Sequence, residues 1–368
     1  MALDGTTLVY GGLLVVAVGL VLSYVLLLLW TPPPILTHTS ELSYLSANNP
    51  KEPLPLPKLE DPATVELSVI VPAFNETERL PAMLEATVSY LEGEGWQNLA
   101  TTTSTAKTTG SSSRPNEKGN GSAKKLKRPS SGLKRTFEII IVDDGSTDST
   151  SSAALLLARS KYPKTDIKIV TLEKNIGKGG AVRHGMLHAG GQGLLMADAD
   201  GASRIEDLAS LWSHMNTILD KDGRAAVVGS RAHLVKTEAV VKRSLLRNIL
   251  MYGLHTILRI VGVGHIRDTQ CGFKLFSRSA AQQIFPSQHL PTWIFDVELL
   301  LIAKALRIAV GEVPVEWHEV AGSKLNVVTA SIQMLRDLLI VRLNMVVGRW
   351  KAGEGPGVTL AAKAEKSD

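Results

Sequence analysis

Cys271 is the only cysteine in 368 residues, so no intramolecular disulfide can form and no thiolate cluster can hold zinc. Aromatic residues make up only 5% of the chain, too few for a surface built mainly on stacked bases. Charged residues are also sparse, at 20% against 44% apolar, which excludes a chain disordered throughout. Neither the G-x-x-x-x-G-K-[ST] spacing of a P-loop nor G-x-G-x-x-G is present, which disfavours a nucleoside triphosphatase and a dinucleotide dehydrogenase. The net charge of +5 belongs to one segment. Nine bases and a single acid lie between Thr101 and Thr136, so that stretch carries +8 and the remainder −3. A nucleic-acid partner for the whole chain loses its main support, and none is expected.

No Asp, Glu, Lys or Arg occurs between Asp4 and Glu41. After a short tail (1–7), residues 8–30 form an apolar run that would be roughly 34 Å long as a helix, enough to cross a bilayer core. Tyr10 and Trp30 sit near its ends, where amphipathic aromatics prefer the headgroups. The start is not basic and the run is long, so a retained transmembrane anchor fits better than a cleaved signal peptide. Basic residues follow the span rather than precede it, which weakly places the C-terminal part in the cytosol. A lone free cysteine agrees with a reducing compartment.

Eight of the 17 prolines fall in residues 31–62, and the segment 31–64 reads as an extended, semi-stiff linker. From residue 65 to 347 short apolar runs alternate with helical patterns. Strands are expected at 67–71, 138–142, 167–172, 194–197, 225–229 and 308–313, with helices at 78–91, 147–160, 180–189 and 204–219. That rhythm predicts an α/β domain with a mainly parallel sheet covered on both faces. The Thr/Ser/Gly/Lys-rich stretch 101–132 is expected to be a disordered basic insertion, and 348–368 a flexible tail. Two amphipathic stretches, 243–263 and 329–347, are either core-facing helices or helices lying in the membrane interface.

Three acidic clusters follow predicted strands: Asn75-Glu76, Asp143-Asp144, and Asp198-Ala199-Asp200. Open α/β sheets bind ligands at the carboxyl ends of their strands. Asp198 and Asp200, two apart, are placed to face one ion, and hard oxygen donors suit Mg or Mn bridging to phosphates. A single Asp at a strand end is more often a turn or cap, so the weight rests on three clusters in one sheet. The run KNIGKGGAVRHG (174–185) reads either as a glycine-rich turn or as a phosphate cradle with Lys178 or Arg183 facing anions. The histidines have no assigned role, and Cys271 lacks an evident activating base.

The segments SVIVPAFNE (68–76), IVDDGSTD (141–148) and Asp198-Ala199-Asp200 resemble the family-2 glycosyltransferases of GT-A fold. With NIGKGGAVRHG, Gly229-Ser230-Arg231 and DTQCGFK (268–274), the chain is similar to their polyprenyl-phosphate branch. The resemblance implies a membrane-bound enzyme that moves glucose from UDP-glucose to dolichyl phosphate in the endoplasmic reticulum, for lipid-linked oligosaccharide assembly in N-glycosylation. It implies uridine contacts at Pro72, Phe74, Glu76, Val142 and Asp144, with Lys178 on the donor side. It also implies a metal pair at Asp198 and Asp200, and acceptor-phosphate contacts at Arg231, with Arg243 or Arg247 as a second. Ala202 stands where mannosyl relatives often carry Gln, which leaves a third side-chain metal ligand in doubt and favours a glucosyl donor. The rivals are mannose transfer from GDP-mannose to the same lipid and a non-catalytic membrane adaptor.

Overall fold

The computed structural model describes residues 5–99, 134–236, 264, 266–320, 327–355 and 357–361. The expected insertion at 101–132 and the first amphipathic stretch, 243–263, lie outside the described residues. In chain order the elements begin with α1 (Gly5–Trp30), β1 (Leu36–Thr37), β2 (Ser43–Ser46), β3 (Leu54–Pro55), β4 (Val65–Ala73), α2 (Leu80–Glu92) and α3 (Glu94–Gln97). They continue with β5 (Phe137–Asp143), α4 (Thr150–Lys161), β6 (Ile167–Thr171), α5 (Lys178–Leu187), β7 (Gly191–Met196), α6 (Leu208–Ile218) and β8 (Ala225–Ser230). The C-terminal part adds β9 (Lys274–Ser277), α7 (Arg278–Ile284), α8 (Phe295–Ala305), β10 (Ala309–Pro314), α9 (Val327–Val346) and β11 (Thr359–Leu360).

The main sheet runs β10-β8-β9-β7-β4-β5-β6-β2-β3. Its centre, β7-β4-β5-β6, is parallel, and Ile70 pairs with both Ile140 and Met196. Strand β9 enters antiparallel between β7 and β8. Strands buried on both faces need helices on both faces, and the side chains show them. A Cβ on Gly185 of α5 would meet Ile70 and Val142, so α5 lies directly on that face. On the other face the Trp212 ring of α6 closes on Gly193, and Trp96 of α3 meets Trp212 edge-on at 5.0 Å. Each strand expected from the apolar runs is present. Strand β9 is not legible that way, because its first residue, Lys274, is a buried cation.

Two expected spacers are built into the domain. The sequence predicts an extended, semi-stiff linker over 31–64, yet β1, β2 and β3 lie within it, and β2 pairs with β6. His184 Nε2 bonds the Glu41 carbonyl at 2.9 Å, His188 Nδ1 bonds the Pro57 carbonyl at 2.7 Å, and Leu59 is fully buried. Burial lowers the His184 pKa to about 3, so this clasp uses neutral rings. Proline favours extended backbone, which suits an edge segment whose carbonyls are taken by side chains. The expected flexible tail also differs: β11 pairs in parallel with β1, and Arg183 of α5 donates to the Gly357 carbonyl. Residues 362–368 lie outside the described residues.

Helix α1 is apolar and exposed over most of its length, and it is long and apolar enough to cross a membrane. Its C-terminal end docks on α9, where Asn344 Nδ2 donates to Thr31 Oγ1 at 3.0 Å. Helix α9 buries Leu338, Ile340 and Val341, while Ile332, Leu335, Leu339, Leu343 and Val346 stay exposed at spacings of three and four. The core-facing reading of stretch 329–347 describes part of it. One face is core, and another is apolar and uncovered.

Candidate active site

The carboxyl ends of β4, β5 and β7 meet at one edge of the sheet. Past β4, Asn75 adopts the left-handed region (φ 57°), which Asn tolerates better than most residues. Its side-chain oxygen accepts from the backbone N–H groups of Thr147 (2.8 Å) and Asp148 (3.2 Å), while its own N–H donates to Ser146 Oγ at 2.9 Å. Glu76 N–H donates to Thr150 Oγ1 at 2.8 Å. These bonds stitch the loop after β4 to the loop after β5. Sequence reasoning missed Asn75 as the stitch; an Asn at a strand end before a helix was the available signal.

Glu76, Asp198 and Asp200 converge in front of this stitch. The Glu76 carboxyl lies above its ordinary range, first because it is buried and further because Asp200 and Asp198 are close. Arg79 opposes this, donating Nε to Glu76 Oε2 at 2.6 Å and Nη2 to the other oxygen. Lys178, the first residue of α5, places Nζ 2.6 Å from Asp198 Oδ1. Burial alone would weaken the Lys178 charge, but Asp198 and Asp296 outweigh it and hold the ammonium above its usual pKa. The Lys178 Nζ also lies 5.7 Å from the ring of Trp293, which is partly exposed at the rim.

The other expected donor-side residues divide. Phe74 is exposed beside Asn75. Val142 is fully buried against α5, and Pro72 is buried at the matching register position of β4, so both lie beneath the surface at the strand ends. Asp144 is 3% exposed, and its two oxygens accept from the backbone N–H groups of Ile176 (2.8 Å) and Gly177 (3.0 Å). Burial raises its pKa to about 6, against the pull of those two bonds. Asp144 therefore holds the loop that presents Lys178. Gly177 takes φ 98°, and a Cβ there would come 2.6 Å from the Pro291 carbonyl oxygen, so the loop requires glycine. Arg183 does not face anions: it is buried with its pKa lowered to about 10, and it donates to the carbonyls of Phe285 and Gly357.

Behind Asp198 stands a second layer. A Cβ on Gly272 would sit 2.0 Å from Asp198 Oδ2, so only glycine lets this carboxylate pack against the backbone there. Lys274 and Asp296 form a buried ion pair at 2.6 Å, and Lys274 also donates to the Cys271 carbonyl at 2.5 Å. The Cys271 thiol is pushed up to about 11 by burial and by Asp268, which removes it as a nucleophile. Arg231 meets Asp268 in a fork, Nε to Oδ2 at 2.7 Å and Nη2 to Oδ1 at 2.9 Å, with Trp317 5.5 Å beneath the guanidinium. Asp268 is thereby held below the usual carboxylate range despite its burial. Arg243 and Arg247 lie outside the described residues. The partner of Arg231 is Asp268, 37 positions away, and no local signal announces it.

Among the described residues no group of three or more His, Cys, Asp or Glu side chains forms a closed metal cage. Asp198 and Asp200 instead offer two carboxylates with an open side. That donor set suits an ion completing its shell with phosphate oxygens and water.

Acidic strand ends, a lysine at the start of α5 and a switch in strand direction at β9 are features of a glycosyltransferase of GT-A fold. The glycosyl transferase family 2 profile matches residues 124–285. The dolichyl-phosphate beta-glucosyltransferase of Homo sapiens is 40% identical over 320 residues, covering 87% of this chain and 87% of that protein. Its counterpart in Saccharomyces cerevisiae is 38% identical over 351 residues (91% and 93%), and that of Dictyostelium discoideum 40% over 340 (92% and 93%). A solved structure, glucosyl-3-phosphoglycerate synthase from Mycobacterium tuberculosis with Mn2+ and UDP-glucose, is 16% identical with a TM-score of 0.46, covering 76% of this chain and 79% of that one. The chain belongs to the dolichyl-phosphate beta-glucosyltransferase family of family-2 glycosyltransferases.

Proposed function

We propose that this glycosyltransferase moves glucose from UDP-glucose to dolichyl phosphate, with inversion at the anomeric carbon, at the endoplasmic reticulum membrane. The observation that carries the reading is the meeting of Glu76, Asp198, Asp200 and Lys178 at the strand ends, in a chain whose relatives bear that name. Phe74 and the strand-end surface over Pro72 and Val142 receive the uridine, and Lys178 contacts the diphosphate. Asp198 and Asp200 would hold Mg or Mn, which when bound neutralises the charge of the departing UDP. The acceptor is a phosphate monoester with a second pKa of about 6, so it is already anionic near pH 7. No strong general base is therefore required. What it requires is orientation, and Arg231, held rigid between Asp268 and Trp317, supplies a fixed guanidinium for that purpose.

A polyprenyl acceptor is confined to the bilayer. Helix α1 as a single-pass anchor and the exposed apolar face of α9 would bring the domain to it, with the catalytic side in the cytosol. The product, dolichyl β-D-glucosyl phosphate, would serve lipid-linked oligosaccharide assembly for N-glycosylation. The test uses purified full-length protein in vesicles containing dolichyl phosphate, with UDP-glucose and GDP-mannose in competition and EDTA as the metal control. UDP release and a glucosylated lipid are expected only with UDP-glucose and metal. Preferential use of GDP-mannose would replace the glucosyl reading with the mannosyl one, and turnover in EDTA would remove the metal from it.

A further inference from the structure

We propose that Lys178 is the resident counter-ion of Asp198, and that it makes binding of the divalent cation conditional on the donor's diphosphate. The inference rests on the donor-site reading above. Its basis is the charge pattern around one carboxylate. Lys178 Nζ sits 2.6 Å from Asp198 Oδ1, at ion-pairing distance from an oxygen that would otherwise be a metal ligand. The whole carboxylate packs against the Gly272 backbone, where a Cβ would come 2.0 Å from Oδ2 and 2.6 Å from Oδ1. One oxygen of this carboxylate is therefore already taken by the ammonium.

The surroundings are balanced as well. Glu76 is paired with Arg79, and Asp296 with the buried Lys274. Glu76, Asp198, Asp200 and Asp296 carry four negative charges, opposed by Arg79, Lys178 and Lys274. A divalent cation arriving alone meets a net charge near −1 and an ammonium already in place at one of its ligand oxygens. A nucleoside diphosphate changes this. Its phosphates offer Lys178 a second anionic partner, and the four-carbon stem gives the ammonium freedom to turn toward it. Asp198 is then uncovered while the phosphates supply further oxygens for the metal, so diphosphate and metal favour each other's binding. Trp293, 5.7 Å from Nζ, closes the rim over the lysine in its resting position.

The test measures Mn2+ binding by electron paramagnetic resonance on full-length protein in detergent, with and without UDP, in wild type, Lys178→Met and Lys178→Arg. An adjacent opposite charge is worth about tenfold or more in an ionic equilibrium. Wild type is expected to bind Mn2+ at least about tenfold more tightly with UDP than without it. Lys178→Met is expected to bind Mn2+ alone about tenfold more tightly than wild type, with the enhancement by UDP largely lost. Lys178→Arg keeps the charge and is expected to retain the weak metal-only binding. Equal Mn2+ affinity with and without UDP in wild type overturns the proposal whatever the variants do. Unchanged or weaker metal-only binding in a folded Lys178→Met overturns it too. Failure of wild type to bind UDP with Mn2+ present would instead remove the donor-site reading, and this proposal with it.

Discussion

Two lysine–carboxylate pairs lie at opposite ends of the same parallel strands, and they are built differently. At the amino ends, Glu138 is fully buried and both of its oxygens are taken. Its oxygens accept from Ser68 Oγ, from Gly190 N–H at 2.6 Å and from Lys168 Nζ, with Asp166 3.6 Å from the same ammonium. At the carboxyl ends, the Asp198 side chain is 28% exposed and is held by Lys178, with an open front. A saturated pair can only hold structure, because any ligand would have to break bonds that nothing replaces. An unsaturated pair at the strand ends can exchange its partner. Residue type does not separate the two pairs; the number of satisfied directions does.

The largest expected effect tests the open end. Asp200→Asn should lower glucosyl transfer about 100- to 1000-fold, with the melting temperature almost unchanged, because the lost charge acts on the leaving group and not on the core. Near-wild-type turnover would remove the proposed role of the acidic pair.

Next comes the closed end. Glu138→Gln leaves the Lys168 cation buried with a weakened partner, and should cost about 3 kcal/mol of stability. Thermal unfolding should show this while the KM for UDP-glucose stays near wild type. A specific KM effect without destabilisation would contradict the division between the two pairs.

A smaller effect is expected at Arg231. Arg231→Ala should impair acceptor use about ten- to a hundredfold through KM or kcat while leaving UDP-glucose binding nearly unchanged. Arg231→Lys keeps the charge but loses the fork to Asp268, so it should recover only part of the activity. Full recovery with lysine would show that the site needs charge alone, and selective loss of UDP-glucose affinity would move Arg231 to the donor side.

The last is a pH slope. Asp144 has a folded pKa of about 6 against an ordinary value of 3.8, so between those values the folded state binds more protons than the unfolded one. Its contribution to stability is therefore fully present below about pH 4 and is lost as the pH rises toward 6, by up to about 3 kcal/mol. Relative to wild type, Asp144→Asn should gain stability across that window, on top of a constant loss from the missing acceptor. Parallel unfolding curves for the two proteins from pH 4 to 7 would show that Asp144 is not perturbed.

What sequence could reveal follows from the range of each interaction. The central strands were legible because an apolar run buried on both faces is written in consecutive residues, as in Val69–Val71 and Ile139–Val142. Asp198 and Asp200 were legible because they follow such a run. Strand β9 was obscured by Lys274, whose burial makes sense only beside Asp296, 22 residues later. The proline-rich segment was read as a spacer because its docking partners, His184 and His188, lie more than a hundred residues away.

The sequence by itself determined the apolar helix α1, the order of the central strands and the helices between them, and which acidic residues stand at the strand ends. Each of these depends on residues close along the chain. Only the tertiary structure decided which charge answers which: Lys178 for Asp198, Arg79 for Glu76, Asp268 for Arg231, and two backbone N–H groups for Asp144. Most of these partners belong to different loops, brought together by strand register and by close approaches that only glycine permits, at Gly177 and Gly272. Coulomb energy depends on distance in space, and pairing across a sheet sets that distance without leaving a periodic mark in the chain.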